Sequence, residues 1–86
     1  MLKVGQLIKL KTTSAMAYGG RFVNVDWRPE IVFLVLSVNY GPSPFTDRMM
    51  TDLKLLIVAE NKVCRYCSFA DHPIPIDQHF DIISDV

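Results

Sequence analysis

The sequence predicts a small all-β domain, and three features indicate this fold class. Apolar and polar residues alternate along residues 2–11, as expected for a half-buried strand. Residues 31–40 are rich in β-branched and aromatic side chains, which favour strands. Residues 53–69 contain two similar runs separated by Glu60-Asn61, which is typical of a β-hairpin. The chain has 86 residues, so all of these elements belong to one domain.

The first strand is predicted over residues 2–11, with a bend or close backbone approach at Gly5. Residues 12–30 show no sustained periodicity and contain paired glycines, so they predict a long loop. The aromatic residues of this loop are expected to fold back over the domain, with room for a short strand at 22–25. The first third of the chain therefore consists of one strand and one long loop.

The next strand is predicted over residues 31–40. Both of its faces are apolar, which predicts a strand buried on both sides. The sequence GPSP at 41–44 is expected to end it, because proline and glycine interrupt strands. Residues 45–52 are compatible with two structures, a single helical turn or a loop.

The hairpin is predicted from two alternating strands, Leu53–Ala59 and Val63–Phe69. Asn61 suits the tight turn between them because asparagine tolerates positive φ. Residues 71–76 contain two prolines and predict an extended connector or a short 3₁₀ turn. A short strand over Phe80–Ser84 completes the predicted order of elements.

Two segments, Val4-Gly5-Gln6-Leu7-Ile8 near the start and Phe80-Asp81-Ile82-Ile83-Ser84 near the end, frame this order. The arrangement resembles the SH3-like small barrel of about five strands, and short uncharacterised phage proteins often have similar ends. The resemblance is architectural and covers the whole chain, residues 1–86. It implies a single barrel domain whose first and last strands are neighbours. The ALYDY signature of eukaryotic SH3 domains is missing, so recognition of proline-rich peptides is not implied.

The composition limits the classes of partner. Lys plus Arg and Asp plus Glu both number 9, so no net field attracts nucleic acid or a membrane. Half of the residues are hydrophobic and the mean hydropathy is +0.23, which is high for so small a domain. Either the core is unusually apolar or some apolar surface is available to a partner. No apolar stretch is long enough for a membrane span, and the start lacks a signal-peptide pattern. These features predict a cytoplasmic protein, in the host cytoplasm if it is phage-encoded.

A non-catalytic protein–protein interaction module is the predicted function, in the form of a phage-type accessory protein. Its partner would be a host or virion protein or a second copy of the chain in a homo-oligomer. The candidate binding residues are mostly aromatic residues of the two long loops, where anchors of interfaces are often found. The other interpretation is that several of them fill the ends of the barrel. They are Tyr18, Phe22, Trp27, Arg28, Tyr40 and Phe45.

A nucleic-acid-binding barrel is the first alternative, because basic residues concentrate near the start of the chain. Their side chains would contact phosphates while aromatic residues stack on bases. The other explanation is cross-strand pairing of Lys9 and Lys11 with Asp81 and Asp85 of the last strand. The candidate residues are Lys3, Lys9, Lys11 and Arg21.

A zinc-stabilised module is the third possibility, carried by Cys64-x-x-Cys67 with His72 and His79 as further ligands. Residues three apart in a strand point to opposite faces, which favours packing of the two cysteines over metal binding. No cofactor is predicted. No nucleophile elbow or phosphate-binding glycine loop accompanies the histidines, so an enzyme is not predicted.

Overall fold

The computed structural model describes residues 2–11, 20–23, 30–44, 46–71 and 74–84, and for 20–23 it describes the backbone. The all-β prediction is confirmed, and these residues form strands and one 3₁₀ turn. In chain order the elements are β1 (Leu7–Leu10), β2 (Gly20–Val23), β3 (Val32–Pro42), β4 (Met49–Ile57), β5 (Lys62–Phe69), the 3₁₀ turn (Ile76–Gln78) and β6 (Phe80–Ser84).

The described strands form one antiparallel sheet in the order β2-β5-β4-β3-β1-β6. The first strand therefore lies beside the last one, as predicted, and Lys9 is directly opposite Asp81. The sheet is not closed into a barrel, because β2 and β6 are its two edges. The expected closed barrel is wrong, although a short extra strand within the first loop, β2, is present.

Side-chain contacts join β6 to β5, two strands that no backbone ladder connects. The ring of Phe80 on β6 meets the ring of Tyr66 on β5 edge to face, with centroids 4.9 Å apart. Phe80 also meets Phe33 of β3, with centroids 6.5 Å apart. The contact between Phe80 and Tyr66 joins strands that β4, β3 and β1 separate in the sheet order, so the sheet curls around its core face. The core consists of Leu2, Ile8, Leu10, Ile31, Phe33, Val35, Leu53, Leu55, Ile57, Cys64, Tyr66 and Phe80.

A buried hydrogen-bonded pair reinforces the same closure. The hydroxyl of Tyr66 and Nδ1 of His79 are 2.5 Å apart, and Nε2 of His79 is 3.1 Å from the carbonyl oxygen of Ile74. A carbonyl only accepts hydrogen bonds, so Nε2 carries the proton and Nδ1 accepts from the Tyr66 hydroxyl. His79 thus fastens the segment before β6 to β5, across the open side of the sheet.

The start of the chain bends at Gly5, as predicted. Gly5 has φ of 93°, a conformation that glycine adopts without strain, and its amide donates to the carbonyl of Val35. The buried Gln6 accepts a hydrogen bond from the amide of Val35 through its own carbonyl, and β1 begins only at Leu7. The turn leaves Val4 exposed, whereas the alternation predicted it on the buried face.

The strand β3 differs from the prediction in burial and in length. Phe33 and Val35 are buried, but Val38 and Tyr40 are exposed, so burial on both faces is wrong. The strand also continues to Pro42, past the predicted break at Gly41. It can do so because it pairs with β4 at that end, where the first residues of β4 replace the predicted loop or helical turn.

The hairpin prediction is confirmed with a longer turn. Residues 58–61 form the turn between β4 and β5, and Ile57 lies opposite Lys62. The amide of Glu60 donates to the carbonyl of Ile57, and Asn61 has φ of 51°. The predicted 3₁₀ turn before the last strand is also confirmed, at Ile76–Gln78.

Candidate interaction surface

A β-bulge at Leu36 changes which side chains face the core in the second half of β3. Val35 lies opposite Leu55 and Ser37 lies opposite Lys54, so Leu36 is an extra residue without a partner in the register. An extra residue reverses which side chains face the core, because side chains alternate along a strand. Odd-numbered residues of β3 face the core before the bulge, and even-numbered residues do so after it.

The core face therefore continues beyond the buried core into an exposed strip. Val38 lies opposite the buried Leu53, and the next position on that face of β3 is Tyr40, opposite Thr51. Met49 follows at the start of β4. The exposed fractions are 38% for Val38, 66% for Tyr40 and 38% for Met49. We call these three residues the Tyr40 strip.

The backbone beside the Tyr40 strip also has a free side within the described residues. The strand β1 pairs with β3 only along residues 32–34, and the hydrogen bonds of Gln6 and Gly5 extend this contact to Val35. From Val38 onwards the strand partner of β3 is β4 alone. The strip thus combines exposed apolar side chains with a strand segment that has one sheet neighbour, which is a geometry that accepts an added strand.

The opposite face of the same end carries a charged and aromatic group. The guanidinium of Arg48 lies 3.8 Å from the ring centroid of Phe69 and forms two hydrogen bonds to Asp71, the shorter of 2.7 Å. The hydrogen bond from Arg48 to Asp71 raises the pKa of Arg48, so the guanidinium stays charged. Met50 lies opposite Phe69 in the register. This group flattens the long Arg48 side chain against the sheet.

Polar residues in the middle of the outer face connect β4 with β5. Arg65 forms two hydrogen bonds to the carboxylate of Asp52, and the Sγ of Cys67 is 3.5 Å from Asp52 Oδ1. The hydrogen bond to Asp52 raises the pKa of Arg65, which is exposed. These contacts lie between neighbouring strands and fix their positions.

Of the predicted binding residues, the structure places Tyr40 on an exposed surface. Tyr18, Trp27, Arg28 and Phe45 lie outside the described residues. Phe22 belongs to β2, where its backbone is opposite Tyr66 and its side chain is not described.

Sequence reasoning missed Met49, because the segment before β4 was expected to be loop or helix. The signal that would have found it is the alternation Met49, Thr51, Leu53, which continues the strand period backwards from the hairpin.

The basic candidates lie near the first strand. Lys3 is exposed, and Lys9 and Lys11 are partly buried. Lys9 is opposite Asp81 in the β1–β6 register, as the cross-strand explanation requires, while Asp85 lies outside the described residues. Arg21 lies on β2 opposite Cys67, and its side chain is not described.

The two cysteines point to opposite faces of β5, as the strand geometry predicts. Cys64 is in the core, where burial raises the pKa of its thiol to about 11, and Cys67 is on the outer face. Both ring nitrogens of His79 are engaged, and His72 lies outside the described residues. In this conformation Cys64 and Cys67 cannot bind one ion together, and the described residues contain no cluster of three or more metal-binding side chains.

Two further observations complete the description. Within the described residues, no helix is long and apolar enough to cross a membrane. Comparisons of this chain with protein-family models, with curated protein sequences and with solved structures find no match.

Proposed function

We propose that this chain is a non-catalytic interaction module that binds another protein through the Tyr40 strip. The observation that carries the proposal is the continuation of the core face into exposed Val38, Tyr40 and Met49. A small domain gains little from leaving such side chains in water, because apolar surface is worth about 25 cal/mol per Å² when it is buried. A partner that covers the strip recovers this free energy.

Tyr40 is the anchor of the proposed interface. Tyrosine offers a large rigid ring and a hydroxyl that can stay hydrated at the rim, which is why it is frequent at interface hot spots. Val38 and Met49 flank it on the same face with aliphatic and thioether groups, and methionine adapts its shape to the surface it meets. The chemistry suits an apolar protein segment, including an extended one that pairs with the free side of β3.

The SH3-like assignment and the phage setting are part of this proposal. The order of the strands supports the first, since β1 lies between β6 and β3. We place the module in the cytoplasm of a host cell as an accessory protein. Nucleic-acid binding is less favoured, because the chain has no net charge and Lys9 lies opposite a carboxylate.

The test compares Tyr40→Ala with Val63→Ala, a matched truncation of an exposed strand residue on the outer face. Immobilised wild-type and variant proteins are incubated with extract of the native host, and retained proteins are identified. The affinity of each purified partner is then measured by calorimetry. We expect Tyr40→Ala to weaken binding at least tenfold, which corresponds to about 1.4 kcal/mol, and Val63→Ala to leave it unchanged.

Melting temperatures of both variants that equal the melting temperature of wild type show that the fold is intact. A partner that binds Tyr40→Ala as tightly as wild type contradicts the proposal, and so does a partner lost equally from both variants. Binding that falls steeply with salt and is carried by nucleic acid would instead support the basic-patch alternative.

A further inference from the structure

The backbone groups of β3 alternate between β4 and the free side of the strand. Ser43 directly follows β3, and its amide donates to the carbonyl of Arg48 at 2.9 Å, which directs Ser43 towards β4. The carbonyl of Met49 instead accepts from the amide of Ala70 at 2.9 Å, and so it points towards the end of β5. Hydrogen-bonded and non-hydrogen-bonded pairs alternate along an antiparallel ladder. After the bulge, the odd-numbered residues of β3 therefore bond to β4.

Val38 and Tyr40 consequently direct their amide and carbonyl groups to the free side of β3. The bulge at Leu36 lies before them, and the register from Ser37 to Pro42 continues without a further shift. The four groups therefore form one regular row. The described residues place no hydrogen-bond partner on this row. The same two residues carry exposed apolar side chains of the Tyr40 strip, so one strand segment offers both backbone and side-chain contacts.

The row is bounded at both ends. At one end, the carbonyl of Val35 accepts from the amide of Gly5, and the amide of Val35 donates to the carbonyl of Gln6. At the other end, Pro42 has no amide, so the row of donors stops there. A strand added to this side therefore pairs along residues 37–41.

We propose that the free side of β3 binds an extended segment of another protein as an antiparallel strand. This inference rests on the proposed function and names the form in which the partner meets the Tyr40 strip. Two residues of the segment, with one residue between them, exchange backbone hydrogen bonds with Val38 and Tyr40. The antiparallel direction is favoured because such pairing is more stable per residue. It also matches every ladder of the described sheet.

The side chains around the row specify an apolar–polar–apolar segment. Residues that are directly opposite each other in a sheet point to the same face. The two bonded residues of the segment therefore lie beside Val38 and Tyr40, which are uncharged, and apolar side chains suit them. The residue between them lies opposite Asn39 on the outer face, where Asn39 Nδ2 donates to Ser37 Oγ at 3.3 Å. A small uncharged polar side chain, such as that of threonine, fits this position.

A separate segment fits this site better than the same strand of a second copy. Pairing of two β3 strands about a two-fold axis at Asn39 would bring the end of β3 from one copy level with Val35 of the other. Gly5 and Gln6 already occupy the place beside Val35. A short segment of another protein can end before it reaches this turn, whereas β3 of a second copy continues into its own connection to β4.

The main experiment titrates the wild-type protein with the peptide acetyl-Lys-Thr-Val-Thr-Val-Thr-Lys-amide. N-methylation of its first valine removes an amide donor that faces β3 in the antiparallel register. N-methylation of the central threonine is the matched control, because that amide points away from β3. We expect the parent peptide to bind saturably and the valine-methylated peptide to bind at least tenfold more weakly. The threonine-methylated peptide should bind as tightly as the parent. The protein is unchanged in all three titrations, so its folding does not affect the comparison.

NMR spectra of the isotope-labelled protein locate the peptide in the same titration. The amide protons of Val38 and Tyr40 should move downfield and exchange more slowly with solvent when they form hydrogen bonds. An intermolecular Hα–Hα NOE is expected between Asn39 and the central threonine. Non-hydrogen-bonded antiparallel pairs bring their Cα atoms to about 4.5 Å, and this NOE therefore reports the register.

The proposal is overturned if the parent peptide does not bind at millimolar concentration, or if the valine-methylated peptide binds as tightly as the parent. Weakening by threonine methylation alone indicates a parallel strand and overturns the antiparallel register. A dimer of the protein that the peptide dissociates assigns the free side of β3 to a second copy, which also overturns the proposal.

Tyr40→Ala in the same titration separates this inference from the proposed function. Binding that Tyr40→Ala weakens and valine methylation does not assigns recognition to the side chains of the Tyr40 strip. That result overturns strand addition and leaves the interaction function in place. Binding that valine methylation weakens and Tyr40→Ala does not supports strand addition and contradicts Tyr40 as the anchor.

Discussion

Tyr66 and His79 show how a single pair of side chains determines the shape of this sheet. They lie on elements that share no backbone ladder, yet Tyr66 O–H donates to Nδ1 of His79 inside the core. The edge-to-face contact between their rings, with centroids 5.7 Å apart, adds packing to the hydrogen bond. Both side chains are fully buried, so water cannot replace either partner.

We predict that Tyr66→Phe destabilises the protein by about 1–3 kcal/mol, although it removes only one oxygen atom. The reason is that Nδ1 of His79 would remain buried without a donor. Urea denaturation monitored by tryptophan fluorescence measures the loss. The double variant Tyr66→Phe, His79→Leu is the control, since replacing both partners by apolar groups should recover part of the loss. A single variant as stable as wild type would show that the hydrogen bond contributes nothing.

The hairpin is the element whose geometry depends most on one residue. Asn61 has φ of 51°, where an L-residue with a branched side chain is strained. The turn leads directly into β5, which carries Cys64 and Tyr66 into the core. The conformation of Asn61 therefore helps to set the register of two core positions.

We predict that Asn61→Gly changes stability by a few tenths of a kcal/mol, whereas Asn61→Val lowers it by about 1–2 kcal/mol. Glycine accepts the positive φ, and valine does not. Thermal melts of the two variants beside wild type test this. Glu60→Val is the matched control, because Glu60 is an exposed turn residue without positive φ. Similar losses from valine at both positions would mean that φ at 61 is not the cause.

At the scale of the whole molecule, burial of titratable groups links stability to pH. Burial raises the pKa of the Cys64 thiol to about 11 and also raises the pKa of the Tyr66 phenol. Both groups therefore stay protonated in the folded state at pH values where the unfolded chain releases their protons. The stabilisation is complete below the ordinary pKa of a thiol and falls as pH rises towards the folded value.

We predict that the free energy of unfolding decreases between about pH 9 and pH 11, and that Cys64→Ala reduces the slope. One proton released on unfolding corresponds to about 1.4 kcal/mol per pH unit. Urea denaturation at several pH values measures the slope. Val35→Ala is the control, because it shortens a buried core side chain without removing a titrating group, and it should leave the slope unchanged. An identical slope in Cys64→Ala and wild type would contradict the assignment to Cys64.

The local sequence pattern was enough to predict side-chain orientation where buried and exposed residues alternate regularly along a strand. Residues 64–69 alternate in the sequence and in the structure, so the opposite orientation of Cys64 and Cys67 could be predicted. The predicted neighbours β1 and β6 came from the resemblance to a small barrel and are confirmed. Tyr40 was predicted as a binding residue, but its place on the core face depends on the bulge at Leu36, and the run 31–40 does not reveal a bulge.

By itself, the sequence determined the all-β class, the hairpin with its positive φ at Asn61, and the 3₁₀ turn before the last strand. These features depend on contacts or conformations within a few residues, which composition and periodicity express directly. Only the tertiary structure decided that the sheet stays open and that the far half of β3 is exposed. Both depend on which strands meet across the core, and such long-range contacts leave no trace in local pattern.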